Sequence, residues 1–246
     1  MSPRPPPQRK RIDWSQTRIT RGALLIIGVQ IGVSLVWLMA DKATRATIGE
    51  YVLASPSQVF EHGRVWTLVT SPLLQPDFLS LLFTALLMWM LVPILERFWG
   101  TRRFYRFVAI TSILGSAAGV LLGYALGRDV PIYGLTPFTY AATVAFGVIY
   151  ARQPVQFFGV LPLSGRQFMW GIIGFLVLFV VLQQFWEQGA AYAAAMLAAA
   201  VMTSKRWSPA LAWKRWRIAR ARARLSVLEG GAPKPKPKRS DERFIN

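Results

Sequence analysis

Three hydroxyl side chains stand in helical register late in the chain. Thr136, Tyr140 and Thr143, followed by Gly147, occupy i, i+4, i+7 and i+11. On a helix that spacing gathers them along one face. Such a face can line an interior polar cavity, or its hydroxyls can bond back to the carbonyl four residues earlier. A second phenol, Tyr192, sits in the alanine-rich run GAAYAAAML, and Gln183 and Gln184 precede it. A hydroxyl becomes a nucleophile only with a base within hydrogen-bond reach. The one histidine, His62, lies far away in sequence and reads as a solvated or local hydrogen-bonding group. Cysteine is absent, and there is neither a glycine-rich phosphate cradle nor a metal-ligand cluster. No cofactor and no metal are expected.

The elements that position these groups are membrane spans. Hydrophobic residues make up 53% of the 246 and charged residues only 16%, yet the net charge is +18. A soluble domain is typically about 25% charged, and ten Trp with fifteen Phe suit membrane interfaces. The absence of cysteine excludes a disulfide scaffold, and the apolar content excludes a disordered polyelectrolyte. Apolar runs of spanning length, roughly 17–25 residues, are read at Gly22–Ala40, Phe78–Leu95, Phe107–Leu126, Tyr133–Tyr150, Phe168–Phe185 and Gly189–Thr203, the fourth and sixth being the shortest. The fold class is therefore an all-α, six-helix polytopic bundle. A basic Pro-rich arm (1–20) precedes the membrane domain (21–203), and a basic tail (204–246) follows it. The first run is too long, and its polar leader too extended, for a cleaved signal peptide.

Loop charge orients the bundle. Only Lys42, Arg45, Arg64 and Arg128 fall on one side, and the remaining Lys and Arg fall on the side of both termini. Lys and Arg accumulate in cytoplasmic loops, so both termini are expected in the cytoplasm, in a bacterial inner membrane. Gly115, Gly119, Gly123 and Gly127, four apart, and the alanines of the sixth span read as helix-packing seams. No span carries a charge at its middle, which argues against a proton-driven transporter or an ion pump.

The stretch Gly63–Phe104, GRVWTLVTSPLLQPDFLSLLFTALLMWMLVPILERFWGTRRF, resembles the rhomboid family of intramembrane serine proteases. Thr70-Ser71, Glu96, Gly100 and Arg103-Phe104 match that family's entry to the second helix and exit from it. YGLTPFTYAATVAFGVIYARQP, Tyr133–Pro154, is similar to the short fourth helix that opens with the family's Gly-x-Ser-Gly. The resemblance covers about Arg21 to Thr203 and implies a six-helix fold.

The departures fall on the chemistry that the resemblance implies. Thr136 stands at the nucleophile position, and Pro137 replaces the glycine after it, removing a backbone donor. Tyr192 stands at the position of the histidine base, Ser80 and Thr84 at the oxyanion-stabilising His and Asn, and Gln75 at the histidine before the second helix. General-base assistance is worth about 10²–10⁴-fold and one oxyanion donor about 10²–10³-fold. A phenol, which ordinarily ionises near pH ~10, is a poor substitute base. The expectation is an inactive, rhomboid-like pseudoprotease that binds transmembrane segments of client proteins through Thr136, Tyr140, Thr143 and Tyr192, with Ser80 and Thr84 adjoining. A peptidase using Thr136 is the first alternative. An assembly factor or structural subunit with a ribosome- or lipid-binding tail is the second.

The tail carries Trp207, Trp213 and Trp216 among arginines. Read as a helix, it repeats Leu211, Ile218 and Leu225 every seven residues, beside a face of Arg217, Arg220 and Arg224. That pattern suits anionic lipid headgroups. Nucleic acid is an unlikely partner apart from ribosome contact, because no base-reading module is present.

Overall fold

The computed structural model describes residues 19–152, 154–157, 161–204, 216–218 and 220. The chain divides into two units, Met1–Ser204 and Lys205–Asn246. The N-terminal arm before residue 19 and most of the tail lie outside the described residues.

The first unit is built from α1 (Arg21–Met39), α2 (Lys42–Val52), the short α3 (Thr67–Thr70), α4 (Phe78–Trp99), α5 (Thr101–Ala125), α6 (Thr136–Ile149), α7 (Gly165–Gln183) and α8 (Trp186–Thr203). A two-stranded antiparallel hairpin, β1 (Pro154–Phe157) and β2 (Leu161–Ser164), joins α6 to α7, with Pro154 opposite Ser164. Apart from this short connection the elements among the described residues are helical, in line with the all-α expectation. Four helices, α1, α4, α5 and α7, are long and apolar enough to cross a membrane. α6 has 14 residues, about 21 Å at 1.5 Å per residue, short of a ~30 Å hydrocarbon core. It can be short because it sits in the middle of the bundle, packed on α4, α5, α7 and α8. From Pro137 to Gly147 every residue except Tyr140 is buried. α7 is the opposite case, burying only Gly165 and Leu176.

Helix ends are where lipid is least forgiving, because orphan N–H groups have no water to turn to. The start of α1 has no side-chain cap of its own. Glu96, 4% exposed in the last turns of α4, supplies one. Its carboxylate accepts from Gly22 N–H at 3.2 Å, Ala23 N–H at 2.7 Å and the Thr101 hydroxyl at 2.8 Å, and from the Thr20 hydroxyl. The negative charge also faces the positive end of the α1 dipole. The sequence reading ended the second span before Glu96-Arg97. The helix runs on to Trp99 because four hydrogen-bond donors take the place of water around this carboxylate, and Gly100, at φ 77°, then turns the chain into α5.

The glycine seam holds α5 against α8. A Cβ on Gly119 would lie 2.9 Å from Ile132 Cγ1 and 3.0 Å from the Glu187 carbonyl, and one on Gly115 would lie 2.8 Å from Pro137 Cβ and 3.1 Å from the Ala191 carbonyl. Ala191, Ala195 and Ala199 face this seam, fully buried. Gly127 does not join it. It takes φ 65° in the turn after α5, with nothing near its Cβ position. Glu187, assigned by the sequence reading to an outer loop, is the second residue of α8, is buried in the seam and pairs with Arg128 at 3.5 Å.

The long connection between α1 and α4 is also structured. Asp41 caps α2 through the Ala43 and Thr44 N–H groups, at 3.1 and 3.2 Å. Asp129 accepts from the Ser57 N–H at 3.0 Å and the Ser57 hydroxyl at 2.6 Å, and Ile132 N–H donates to the Ala54 carbonyl at 2.7 Å. These bonds tie the loop to the turn before α6. In the second unit, the Arg220 guanidinium stacks 4.0 Å over the Trp216 ring.

Three outcomes are expected. Glu96→Ala uncaps α1 and lowers stability by about 1–3 kcal/mol, read as an earlier melting transition in detergent; unchanged melting would remove the clamp from this account. Gly119→Leu forces α5 and α8 apart at a cost of about 1–3 kcal/mol, whereas Gly28→Leu, with nothing within 4 Å of its Cβ position, melts like the wild type. For Asp129, partial burial pushes the carboxyl up, but the Ser57 N–H, the Ser57 hydroxyl and the Ser55 hydroxyl outweigh it and hold it below its ordinary 3.8. Its contribution is therefore present above about pH 4 and lost as pH falls through the lowered value. Hydrogen exchange at the Ser57 amide accelerates over that acid range, and Asp129→Asn removes the pH dependence.

Candidate functional site

The site begins with the start of α4. Asp77 Oδ2 accepts from Ser80 N–H at 2.7 Å and fixes the first turn. The Ser80 backbone and side chain hold Asp77 below the ordinary carboxylate range. Ser80 and Thr84, four apart, then share a face. Just upstream, Gln75 is 3% exposed and its N–H donates to Ser34 Oγ on α1 at 2.9 Å. Its Oε1 is buried with no partner among the described residues. The carboxamide rests against Gly134, which adopts φ 79° and donates its N–H to the Ser71 carbonyl at 3.0 Å. A Cβ at Gly134 would overlap Gln75 Oε1. Only glycine satisfies both the turn and this approach.

Gly134 leads into α6. Pro137 is in the first turn, where a missing N–H costs nothing, and it packs on Gly115. Thr136 and Tyr140 are left half-buried beside the starts of α4 and α8. Gln184, left-handed at φ 54°, closes the turn between α7 and α8. α8 starts at Trp186, three residues before the expected Gly189, which puts Gln188 one turn ahead of Tyr192 on the same face.

These elements enclose a cavity of about 360 Å³. Gln75, Ser80, Thr84, Thr136, Tyr140 and Tyr192 all line it, so five positions that the resemblance assigns to catalysis, with Tyr140, come together in space. The Tyr140 and Tyr192 rings meet at 4.9 Å between centroids. Thr143 does not reach the cavity. It lies deeper in α6, 2% exposed, and its hydroxyl donates to the Thr139 carbonyl at 3.0 Å. Of the two readings of that face, back-bonding holds for Thr143 and cavity lining for Thr136 and Tyr140. Gln183 and Gln184 are exposed at the end of α7 and take no part.

The sequence reading missed Gln188, Tyr133 and the apolar rim of Phe83, Phe179 and Phe185. An earlier start for the sixth helix would have revealed Gln188. The rim aromatics carry no pattern distinguishing them from lipid-facing residues. It also missed Gln30 and Ser34, both buried on the inner face of α1. His62 Nδ1 sits 3.1 Å from the Ser57 carbonyl, exposed and local. Among the described residues no His/Cys/Asp/Glu group is placed to hold a metal. The lining offers hydroxyls and carboxamides, with no imidazole, carboxylate or cation. Such a surface binds by neutral hydrogen bonds.

Residues 23–207 match the model of a family described as "Eukaryotic integral membrane protein (DUF1751)". The match runs from the first turn of α1 past the end of α8, about three quarters of the chain. The family is associated in general with rhomboid-like proteins. Comparison with curated proteins gives no match. The family's eukaryotic description counts against the bacterial inner membrane expected from the sequence, and that placement is withdrawn. With its apolar helices and a match of this extent, the chain belongs to this family of integral membrane proteins and passes the membrane more than once.

Proposed function

We propose that the protein is a rhomboid-like membrane protein without peptidase chemistry, which binds transmembrane segments of client proteins and influences their folding or turnover. In this reading α6 and α8 complete six spans with α1, α4, α5 and α7. Both termini face the cytoplasm, in keeping with the crowding of Lys and Arg on their side. The observation that carries the function is the convergence of Gln75, Ser80, Thr84, Thr136 and Tyr192 on one cavity whose lining has no base. The cavity keeps its polarity while a hydroxyl at 136 lacks the partner that would activate it. Phe83 on α4 and Phe179 on α7, both exposed, form an apolar rim along which a client helix can approach from lipid. The basic tail, with Arg220 stacked on Trp216, serves anionic headgroups at the cytoplasmic surface.

A photo-crosslinker at position 136 in intact membranes is expected to capture a small set of membrane proteins through their spans, identified by mass spectrometry. Adducts to lipid or to α8 alone would mean a closed bundle and end the reading. In parallel, a transmembrane reporter incubated with the wild-type protein stays intact. Cleavage that disappears in Thr136→Ala would establish the peptidase instead.

A further inference from the structure

A second recess lies between the end of α1, the helix α2 and the turn before α6. It holds about 430 Å³, within the ~300–1,000 Å³ typical of small-molecule sites. Trp37 in the last turn of α1, Arg45, Gly49 and Glu50 on α2, and Gln58 and Asp129 line it. Gly49 lets the Trp37 ring pack on α2, since a Cβ there would lie 3.3 Å from Trp37 Cη2. Arg45 donates from Nε to the Ala40 carbonyl at 2.8 Å and from Nη2 to the Leu38 carbonyl, which closes the end of α1. Arg64 holds the Glu50 carbonyl at 2.7 Å and Gln58 Oε1 at 2.6 Å, so the amide hydrogens of Gln58 stay available. Asp129 accepts from the neutral N–H and hydroxyl of Ser57, which leave its charge uncancelled. Among the described residues, no ion pair within 4.0 Å joins Arg45 to Glu50 or Asp129. One cation and two anions thus line one recess without satisfying each other.

We infer that this recess binds the headgroup of a phosphatidylethanolamine, with the phosphate at Arg45 and Gln58 and the ammonium between Glu50 and Asp129. A zwitterion answers both signs of charge at once, and desolvating either sign alone is costly. A guanidinium suits phosphate oxygens, and Arg45 Nη1 has no partner among the described residues. The two carboxylates suit a primary ammonium, which brings three N–H donors. A quaternary ammonium brings none and calls for an aromatic cage. Among the described residues Trp37 is the one aromatic in the lining, the nearby Tyr51 ring being covered by Arg64 at 4.1 Å. A serine headgroup would set a third carboxylate beside two, and a glycerol headgroup has no cation. Depth favours a lipid over a soluble zwitterion. The 19 residues of α1 extend about 28 Å at 1.5 Å each, so its last turn reaches the edge of a ~30 Å hydrocarbon core. Trp37 stands in that turn, and tryptophan favours this interface. The site does not depend on the client-binding reading.

The test uses the full chain in detergent, stripped of lipid and titrated with phosphatidylethanolamine, phosphatidylcholine, phosphatidylserine or phosphatidylglycerol of matched acyl chains. Bound lipid is counted by native mass spectrometry. Phosphatidylethanolamine is expected to bind about three- to tenfold tighter than the other three. Glu50→Gln brings it down toward phosphatidylcholine and leaves the fold intact, since the bond that Glu50 gives to Arg64 is through its backbone carbonyl. Glu50→Lys turns the preference toward phosphatidylglycerol. Arg45→Gln weakens all four lipids; if it fails to fold, having released the end of α1, the two Glu50 variants carry the test. Equal affinity of the wild type for the four lipids, or a preference that survives both Glu50 variants, overturns the inference. Displacement of the lipid by an equal concentration of free phosphoethanolamine overturns the assignment to a lipid.

Discussion

Close approach of α5 to α8 is the constraint on which the rest of this protein depends. In lipid there is no hydrophobic gain in bringing two apolar helices together, so association relies on packing and hydrogen bonds at short range. Gly115 and Gly119 let the backbone of α8 come within contact of α5, and the same Gly115 receives Pro137 at the start of α6. One glycine therefore seats two helices. Once α6 and α8 are placed, Thr136, Tyr140, Gln188 and Tyr192 must surround a common space, and α4 closes it with Ser80 and Thr84.

The two ends of the bundle are satisfied by different means. At the end opposite the cavity a single carboxylate, Glu96, caps α1 and reaches the first residue of α5. It joins three helices where none has a cap of its own that would suffice. At the cavity end the work is spread over two backbone bonds, Gly134 N–H to the Ser71 carbonyl and Ile132 N–H to the Ala54 carbonyl, and over the Asp129 carboxylate, which accepts from Ser57. One end is thus a rigid clamp and the other a set of tied loops around an interior space. The hydroxyls that line the cavity sit at the second end.

Much of this was legible in the chain itself. The apolar runs located every long helix, because the cost of burying charge in lipid leaves a coarse pattern, but α5 starts at Thr101, six residues before the expected Phe107, its first turns carrying arginines that no apolar run includes. The four-residue glycine spacing announced the α5 seam for the same reason that it works: only one face of a helix can be stripped of Cβ atoms at that period. The positions of Thr136, Ser80, Thr84 and Tyr192 were legible as a group only through a resemblance, since they lie on three helices far apart in sequence.

Other features were decided by tertiary contacts. Thr136, Tyr140 and Thr143 share a helical face, and periodicity gives them equal standing. Depth within the bundle separates them, leaving the first two beside the cavity and closing protein over the third. Gln75 looks like any loop glutamine until Gly134 presses on its carboxamide and Ser34 takes its N–H. Glu187 and Glu96 read as interfacial charges, yet both are buried because each has specific partners, Arg128 for Glu187 and four hydrogen-bond donors for Glu96. The sequence by itself determined which segments are long and apolar enough to cross a membrane, because partition into lipid depends on composition summed along one helix. Only the tertiary structure decided which polar groups are spent and which are free, because a hydrogen bond depends on distances between helices that no single segment encodes.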